Sequence, residues 1–479
     1  MKEVVKVLPN FKKFNDYITN VKENINPIML SGLTDSGKAH FAYSTYFYAE
    51  KPICIITYNE LQAKKIIKNL EYFDDNVSYF PKKEIMAYDY LAESKDIYYK
   101  RVDCLNNIYR KKAKIIVTTI EAVTQKLINK ETLYKNILNL KINDTINLEE
   151  IKEKLVLLGY ERTEVVENKS EFSIRGGIID IAISGKEGIR IELWGDEIDS
   201  IRTFDVNTQR SKEKIDKISI YPTHEFVLEK SLAEVAKEIE DEQDKEEILQ
   251  GNYTSKIDKY WNIFYTNSKN TFIDYLKGDY IIFLDEISKI KARSENVLKD
   301  TQNLIKSLIE KQRYVPQSLQ EIEDYVGFLN RTNEIQTIYL ENKDIGFVDR
   351  QSMHAKRNGY SFSYREVNFF RSSMDLLFKE VQEAIGNGTT VVILCGIQAN
   401  IQKTKDLLAE KINPNHLNKL IITQGSLTEG FECYDFNLLV ISIQELFNVI
   451  KKKRKLPEQF KTGETIIFSD LKVRRLYCS

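Results

Sequence analysis

Gly32-Leu33-Thr34-Asp35-Ser36-Gly37-Lys38-Ala39 follows a short apolar run at Pro27-Ile28-Met29-Leu30 and precedes a helical stretch from His40. Strand, glycine loop, helix is the context a phosphate loop requires. In that loop glycines let backbone N–H groups wrap phosphate, the lysine balances charge, and a Ser or Thr after the lysine holds magnesium. Gly32, Gly37 and Lys38 fit. Ala39 does not, because a methyl group cannot ligate a metal. A second segment, DYIIFLDE (279–286), is an apolar strand ending in Asp285-Glu286. That is the shape of a Walker B box, whose acid holds magnesium or polarises water. Ser288-Lys289 follows in place of a full helicase box. The pair reads as the relic of an ATPase, with residual nucleotide binding left open and no catalytic residue expected.

Other chemistry is sparse. Five cysteines lie far apart with no CxxC pair, and the four histidines are scattered. Neither a disulfide framework nor a zinc site is expected, and a reduced setting fits. His224 has no matching carboxylate or cysteine motif, so it reads as structural. The chain has 479 residues, 42% hydrophobic, with a net charge of -1. That length suits about three or four domains. Without a basic excess, any nucleic-acid contact must be local or lie outside this chain. Two local features qualify. Tyr88, Tyr90, Tyr98 and Tyr99 stand near lysines, so they suit base stacking or ordinary packing. The run 451–455 (KKKRK) suits nucleic acid or a solvated linker. No signal peptide and no apolar run of about 18 residues is evident.

The richest stretch is EFSIRGGIIDIAISGKEGIRIELWGDEIDSIRTFDVNTQ (171–209). β-Branched residues around Ile178 to Ile183 suit a pleated, half-buried surface. Ile189, Ile191 and Leu193 alternate with Arg190 and Glu192, as in a strand with one wet face. Gly195-Asp196 signals a tight turn. The expectation is a small twisted antiparallel sheet. Arg175 precedes Gly176-Gly177, two residues without Cβ that let another backbone approach. Two readings follow: a β-bulge with a solvated arginine, or an arginine placed to meet a partner's carboxylate.

The strings RGGIIDI and IELWGDEIDSIRTFDVNTQRS resemble the second domain of the transcription-repair coupling factor (Mfd) family. UvrB shares that domain, and there the equivalent surface binds UvrA. Residues 80–108 are similar to the family's FP…YD…R..L signature, though without room for the tyrosine-rich hairpin of UvrB. GSLTEGFECYDFNLLVISIQELF (425–447) resembles the third domain, with Tyr434-Asp435 where proline is usual. GETIIFSDLKV (463–473) matches the approach to the polymerase-interacting domain, but no "HGIG" box follows. That ending suggests a truncated or frame-shifted product.

The resemblance implies Arg162, Phe172 and Arg175 as the UvrA-facing patch. It implies an α/β multidomain fold: a degenerate P-loop (RecA-like) parallel sheet with an inserted small antiparallel α+β domain, then a second α/β domain. The expected divisions are 1–140, the insert 141–225, 226–345 completing the first domain, 346–450, and a basic linker 451–479. Residues 1 to about 25 should form a lead-in helix, and 228–250 an acidic helical segment with a solvated face. The implied role is a cytoplasmic, non-catalytic recruitment and autoinhibition module for UvrA. In intact relatives a C-terminal domain masks that surface. RNA polymerase and double-stranded DNA would be met by other regions, and ATP with magnesium by motor domains outside this chain. The alternative is a UvrB-like DNA-dependent ATPase or helicase.

Overall fold

The computed structural model describes residues 3–442 except 85–94, 229, 252, 254–255, 266–268, 344–345, 347, 368–373, 411 and 414–419. Tyr88, Tyr90, the run 451–455 and the segment 463–473 lie outside the described residues.

Seven parallel strands form the main sheet, in the order Tyr360–Ser361, Ile28–Ser31, Thr337–Leu340, Ile281–Asp285, Ile53–Thr57, Ile115–Thr119, Val77–Phe80. Five of these strands are buried on both faces, as a helix-covered parallel sheet requires. Alternate residues feed two cores. Cys54, Ile56, Ile282 and Leu284 join one, while Ile53, Ile55, Ile281 and Phe283 join the other. The chain leaves this sheet after Ile115–Thr119 and returns at Ile281–Asp285. The multidomain α/β class expected from sequence is therefore observed.

Two features depart from expectation. The sheet reaches past residue 345, because Tyr360–Ser361 pairs with Ile28–Ser31. The lead-in is broken by a short turn of helix at Leu8–Asn10, where Pro9 sits, before the helix Lys12–Lys22. Phe14, Tyr17, Ile18 and Val21 then form its buried face.

Between departure and return the chain builds a six-stranded sheet ordered Ser211–Lys214, Glu197–Asp205, Glu187–Trp194, Ile178–Ala182, Glu171–Arg175, Glu161–Arg162. The helix Leu148–Leu157 packs its Ile151 and Leu155 with Phe172, Ile179, Ile181, Ile189 and Ile191. A two-stranded ribbon, Leu138–Lys141 with Lys217–Ile220, carries the chain into and out of this unit. The last sheet has five strands, with Thr390–Leu394 parallel to Leu420–Thr423 and Leu438–Ser442.

One buried cation ties the exit of the inserted unit to the first. Arg101, on the helix Lys95–Tyr109, is fully buried. Its Nε donates to Glu225 Oε2 at 2.7 Å, its Nη1 to Pro81 O at 2.7 Å, and its guanidinium lies 4.2 Å over the Phe80 ring. Removing one partner of such a pair leaves the other charge buried and uncompensated. Arg101→Met is expected to lower unfolding free energy by about 3–5 kcal/mol, measured by urea denaturation.

Candidate functional site

The glycine loop has become a packing surface. Thr34 caps the helix Asp35–Ala49, its hydroxyl accepting from the Gly37 N–H at 3.1 Å. The Lys38 N–H bonds Thr34 O at 2.8 Å and the Leu33 N–H bonds Glu341 O at 3.2 Å. Three amides of the loop are thus already paired. The chain's own 362–364 segment lies against it: Phe362 N–H donates to Ser31 O and Tyr364 N–H to Gly32 O. Gly32 has φ +77, and a Cβ there would stand 1.9 Å from Phe362 O. A Cβ on Gly37 would meet the Tyr364 ring at 2.6 Å. At the start of the helix, Ser36 Oγ donates to Glu429 O, and Lys65 pairs with both Asp35 and Glu429.

Lys38 does not face the loop mouth with a free charge. Its side chain is 2% exposed, and Nζ lies 2.6 Å from Asp285 Oδ1 and 2.6 Å from Glu286 Oε1. The Thr57 hydroxyl donates to Asp285 Oδ2 at 2.7 Å, and the Asn342 N–H donates to Glu286 Oε1 at 2.8 Å. Burial opposes the ammonium charge, but Asp285 and Glu286 outweigh it and hold Lys38 above its usual pKa. Burial likewise opposes the Glu286 charge, and Lys38 overcomes it, keeping that carboxyl below its usual range. Glu341 behaves oppositely. Burial, with the Glu286 charge beside it, pushes its carboxyl up to about 8, although its Oε1 accepts the Ile287 N–H at 2.9 Å. Its Oε2 is buried without a hydrogen-bond partner, which suits a carboxyl that keeps its proton. His40, buried between Val4 O and the Tyr364 hydroxyl, is pushed down to about 4 by burial.

A magnesium nucleotide does not fit these residues. Ala39 puts a fully buried methyl group where the hydroxyl ligand belongs, and Lys38 occupies both acids. Among the described residues no group of three or more His, Cys, Asp or Glu is placed to hold a metal ion. Lys38, Asp285 and Glu286 come together as a closed ionic cluster, with Gly32 and Gly37 packed beside it.

The inserted sheet is the open site. Period-2 alternation sends Phe172, Ile174, Ile179, Ile181, Ile189, Ile191 and Leu193 to the core, so Arg175, Ile178, Asp180, Arg190, Glu192 and Trp194 share the outer face. Asp180 is buried there. Arg190 takes it with two bonds, Nε to Oδ1 at 2.7 Å and Nη2 to Oδ2 at 2.9 Å, and lies 4.9 Å over the Phe204 ring. Arg175 adds one bond to Asp180 Oδ2 at 3.2 Å and keeps 52% of its side chain exposed. A guanidinium has five N–H donors, so most of those on Arg175 face outward.

Gly176-Gly177 is a two-residue hairpin turn, with Gly176 at φ +58, rather than a bulge. The close approach that it permits is internal: the Leu193 N–H bonds Gly177 O at 2.8 Å, and a Cβ on Gly177 would lie 3.1 Å from Leu193 O. The irregularity in register falls instead at Glu192/Leu193.

Phe172 is corrected. It is 0% exposed, in phase with Ile174, and packs in the core of the inserted unit, so no partner reaches its ring. Arg162 is exposed, but its strand pairs it with Phe172, on the core-facing phase. Arg162 and Arg175 therefore stand along one edge of the sheet and not on one face. Sequence reasoning misses Trp194. It is 84% exposed on the same face as Arg175, with Ile178 39% exposed beside the hairpin turn. The signal is present in the residues, since Trp194 continues the wet phase of Arg190 and Glu192.

Three further candidates, His224, Tyr98 and Tyr99, line one cavity. His224 stacks on Phe226 with ring centroids 5.1 Å apart and packs against Gly159. Tyr98 and Tyr99 line a cavity of about 530 Å³ with His224 and Phe226, and Lys169 lies over the Tyr99 ring while paired with Asp103.

Residues 138–226 match the family described as the UvrB interaction domain. Over 96% of its length the chain is 28% identical to the transcription-repair-coupling factors of Staphylococcus haemolyticus and Bacillus subtilis. It is 27% identical to that of Staphylococcus aureus over 93% of its length. It spans about two-fifths of the length of these relatives, 42% and 40% respectively. The likeness to the coupling-factor family read from residues 171–209 and 425–447 thus extends along nearly the whole chain.

Two outcomes follow from the ionic cluster. Lys38→Met strands the fully buried Asp285 without a cation, while Glu286 keeps Lys289 at 3.7 Å, and is expected to cost about 3–5 kcal/mol in chemical denaturation. Glu341 has a folded-state pKa of about 8 against a usual 4.5. Its contribution to stability is therefore full below 4.5 and is lost as pH rises through 8. Melting curves of wild type and Glu341→Gln across that window should diverge, with the variant gaining relative to wild type as pH increases.

Proposed function

We propose that this chain is a docking module of the coupling of transcription to nucleotide excision repair, and that its inserted sheet presents Arg175 and Trp194 to UvrA. The observation that carries this reading is the arrangement around Asp180. Arg190 neutralises the buried carboxylate, so Arg175 is oriented by it without being consumed by it. An oriented arginine and an exposed tryptophan on one sheet face have the composition of an interface hot spot. The match of 138–226 to the UvrB interaction domain and the likeness to coupling factors support the same reading.

In this reading the module recruits and does not catalyse. The closed Lys38 cluster supports that, and no nucleotide or metal cofactor is assigned. RNA polymerase, and ATP-driven movement along double-stranded DNA, are assigned to segments of a coupling factor beyond those that this chain covers. The module works in the cytoplasm; among the described residues no helix is long and apolar enough to cross a membrane.

The test is calorimetric titration of UvrA with wild type, Arg175→Glu and Trp194→Ala. Each substitution is expected to weaken binding by about 2 kcal/mol or more, roughly 30-fold. Trp194→Ala should leave the melting temperature unchanged, while Arg175→Glu, which sets a second carboxylate beside the buried Asp180, should lower it without unfolding the chain. Equal affinity in folded variants would remove the assignment.

A further inference from the structure

The junction ribbon carries an unbalanced charge that the docking reading does not use. Leu138, Leu140 and Ile220 point into the core, leaving Asn139, Lys141, Lys217 and Ser219 on the other face. In the antiparallel register Lys141 stands directly opposite Lys217, and Asn139 opposite Ser219. Like charges directly opposite each other destabilise a ribbon, so the free protein carries a repulsion that an anion would relieve. Arg110, in the turn after the helix Lys95–Tyr109, closes the other wall, its guanidinium 4.9 Å over the Tyr221 ring. Between these walls lies a groove of about 570 Å³. Asp144 is its one acidic lining residue, 3.8 Å from Lys141 Nζ. Among the described residues, no carboxylate forms an ion pair with Arg110 or Lys217. Lys111, whose Nζ is 3.7 Å from Asp279, and Lys112 extend the same exposed turn. The patch sits in a chain whose net charge is only -1.

We propose that this groove binds the sugar–phosphate backbone of nucleic acid without regard to sequence. Arginine, lysine and asparagine side chains are among the groups that bond phosphate oxygens. Here the Ser219 hydroxyl donates to Asn139 Oδ1 at 2.6 Å, which leaves the Asn139 amide N–H groups as donors beside the cations. The one aromatic ring of the groove, Tyr221, already has Arg110 over it, so a base platform is not offered. No exposed aromatic anchor of the kind that drives protein–protein association lines it either. The ribbon joins the inserted unit to the main sheet, so a strand held here touches both.

The experiment uses the full chain and a fluorescently labelled duplex of random sequence, followed by anisotropy across a salt titration. Wild type should bind with a steep negative dependence of log affinity on log salt. Lys141→Gln/Lys217→Gln should weaken binding about tenfold or more and shrink that slope by about 2, near 0.9 for each phosphate that is no longer neutralised. Its melting temperature should equal or exceed that of wild type, since the opposed lysines are gone. No binding by wild type, or an unaltered slope in the double variant, would overturn the proposal; the second result would assign binding to another segment, such as the run 451–455. UvrA affinity falling while duplex affinity holds would also overturn it, in favour of an acidic protein surface.

Discussion

The contact of Lys38 with Asp285 and Glu286 sets what the main sheet can do. A phosphate-loop lysine is useful because its charge is available to a ligand. Here two carboxylates hold it at 2.6 Å each, between the strand Ile281–Asp285 and the helix Asp35–Ala49. Breaking that arrangement for a nucleotide would leave Asp285 buried without a counter-charge and Glu286 with only the more distant Lys289, a cost of several kcal/mol before any phosphate is bound. Ala39 removes the compensating metal ligand, and Phe362 and Tyr364 pack on the two glycines. Most elements of an ATP site are present, and together they hold the sheet closed.

The proposed docking surface is joined to this closed sheet. The inserted sheet hangs on the ribbon Leu138–Lys141 and Lys217–Ile220, and the Arg101–Glu225 ion pair fixes the chain as it leaves. Within the sheet, the buried Asp180 does for Arg175 what Asp285 and Glu286 do for Lys38, with the opposite result. Arg190 satisfies Asp180, so Arg175 keeps a fixed direction and a free head. The difference lies in exposure: one cation is 2% exposed, the other 52%.

Much of this is legible in the residues. Apolar runs such as Ile53–Thr57 and Ile281–Asp285 mark buried parallel strands because both faces are covered. The alternation of Ile189, Ile191 and Leu193 marks a strand with one wet face. Family likeness misplaces Phe172 when it is weighed above phase; Phe172 and Ile174 alternate with Arg175, and that alone sends the ring inward. Two other features have no local signal. The strand Tyr360–Ser361 is two residues long, and its pairing with Ile28–Ser31 depends on distant chain. That Lys38 is taken by both acids depends on a geometry some 250 positions away in sequence, with Glu286 at φ +61 turning its carboxylate to the lysine. Spacing reveals the motif, and only packing reveals its closure.

The most direct test of that closure is a calorimetric titration of the full chain with ATP and magnesium. A lysine locked between two buried acids predicts no saturable heat at millimolar nucleotide. A one-to-one isotherm with magnesium dependence would contradict the account, because it would show Lys38 leaving Asp285 and Glu286 for phosphate.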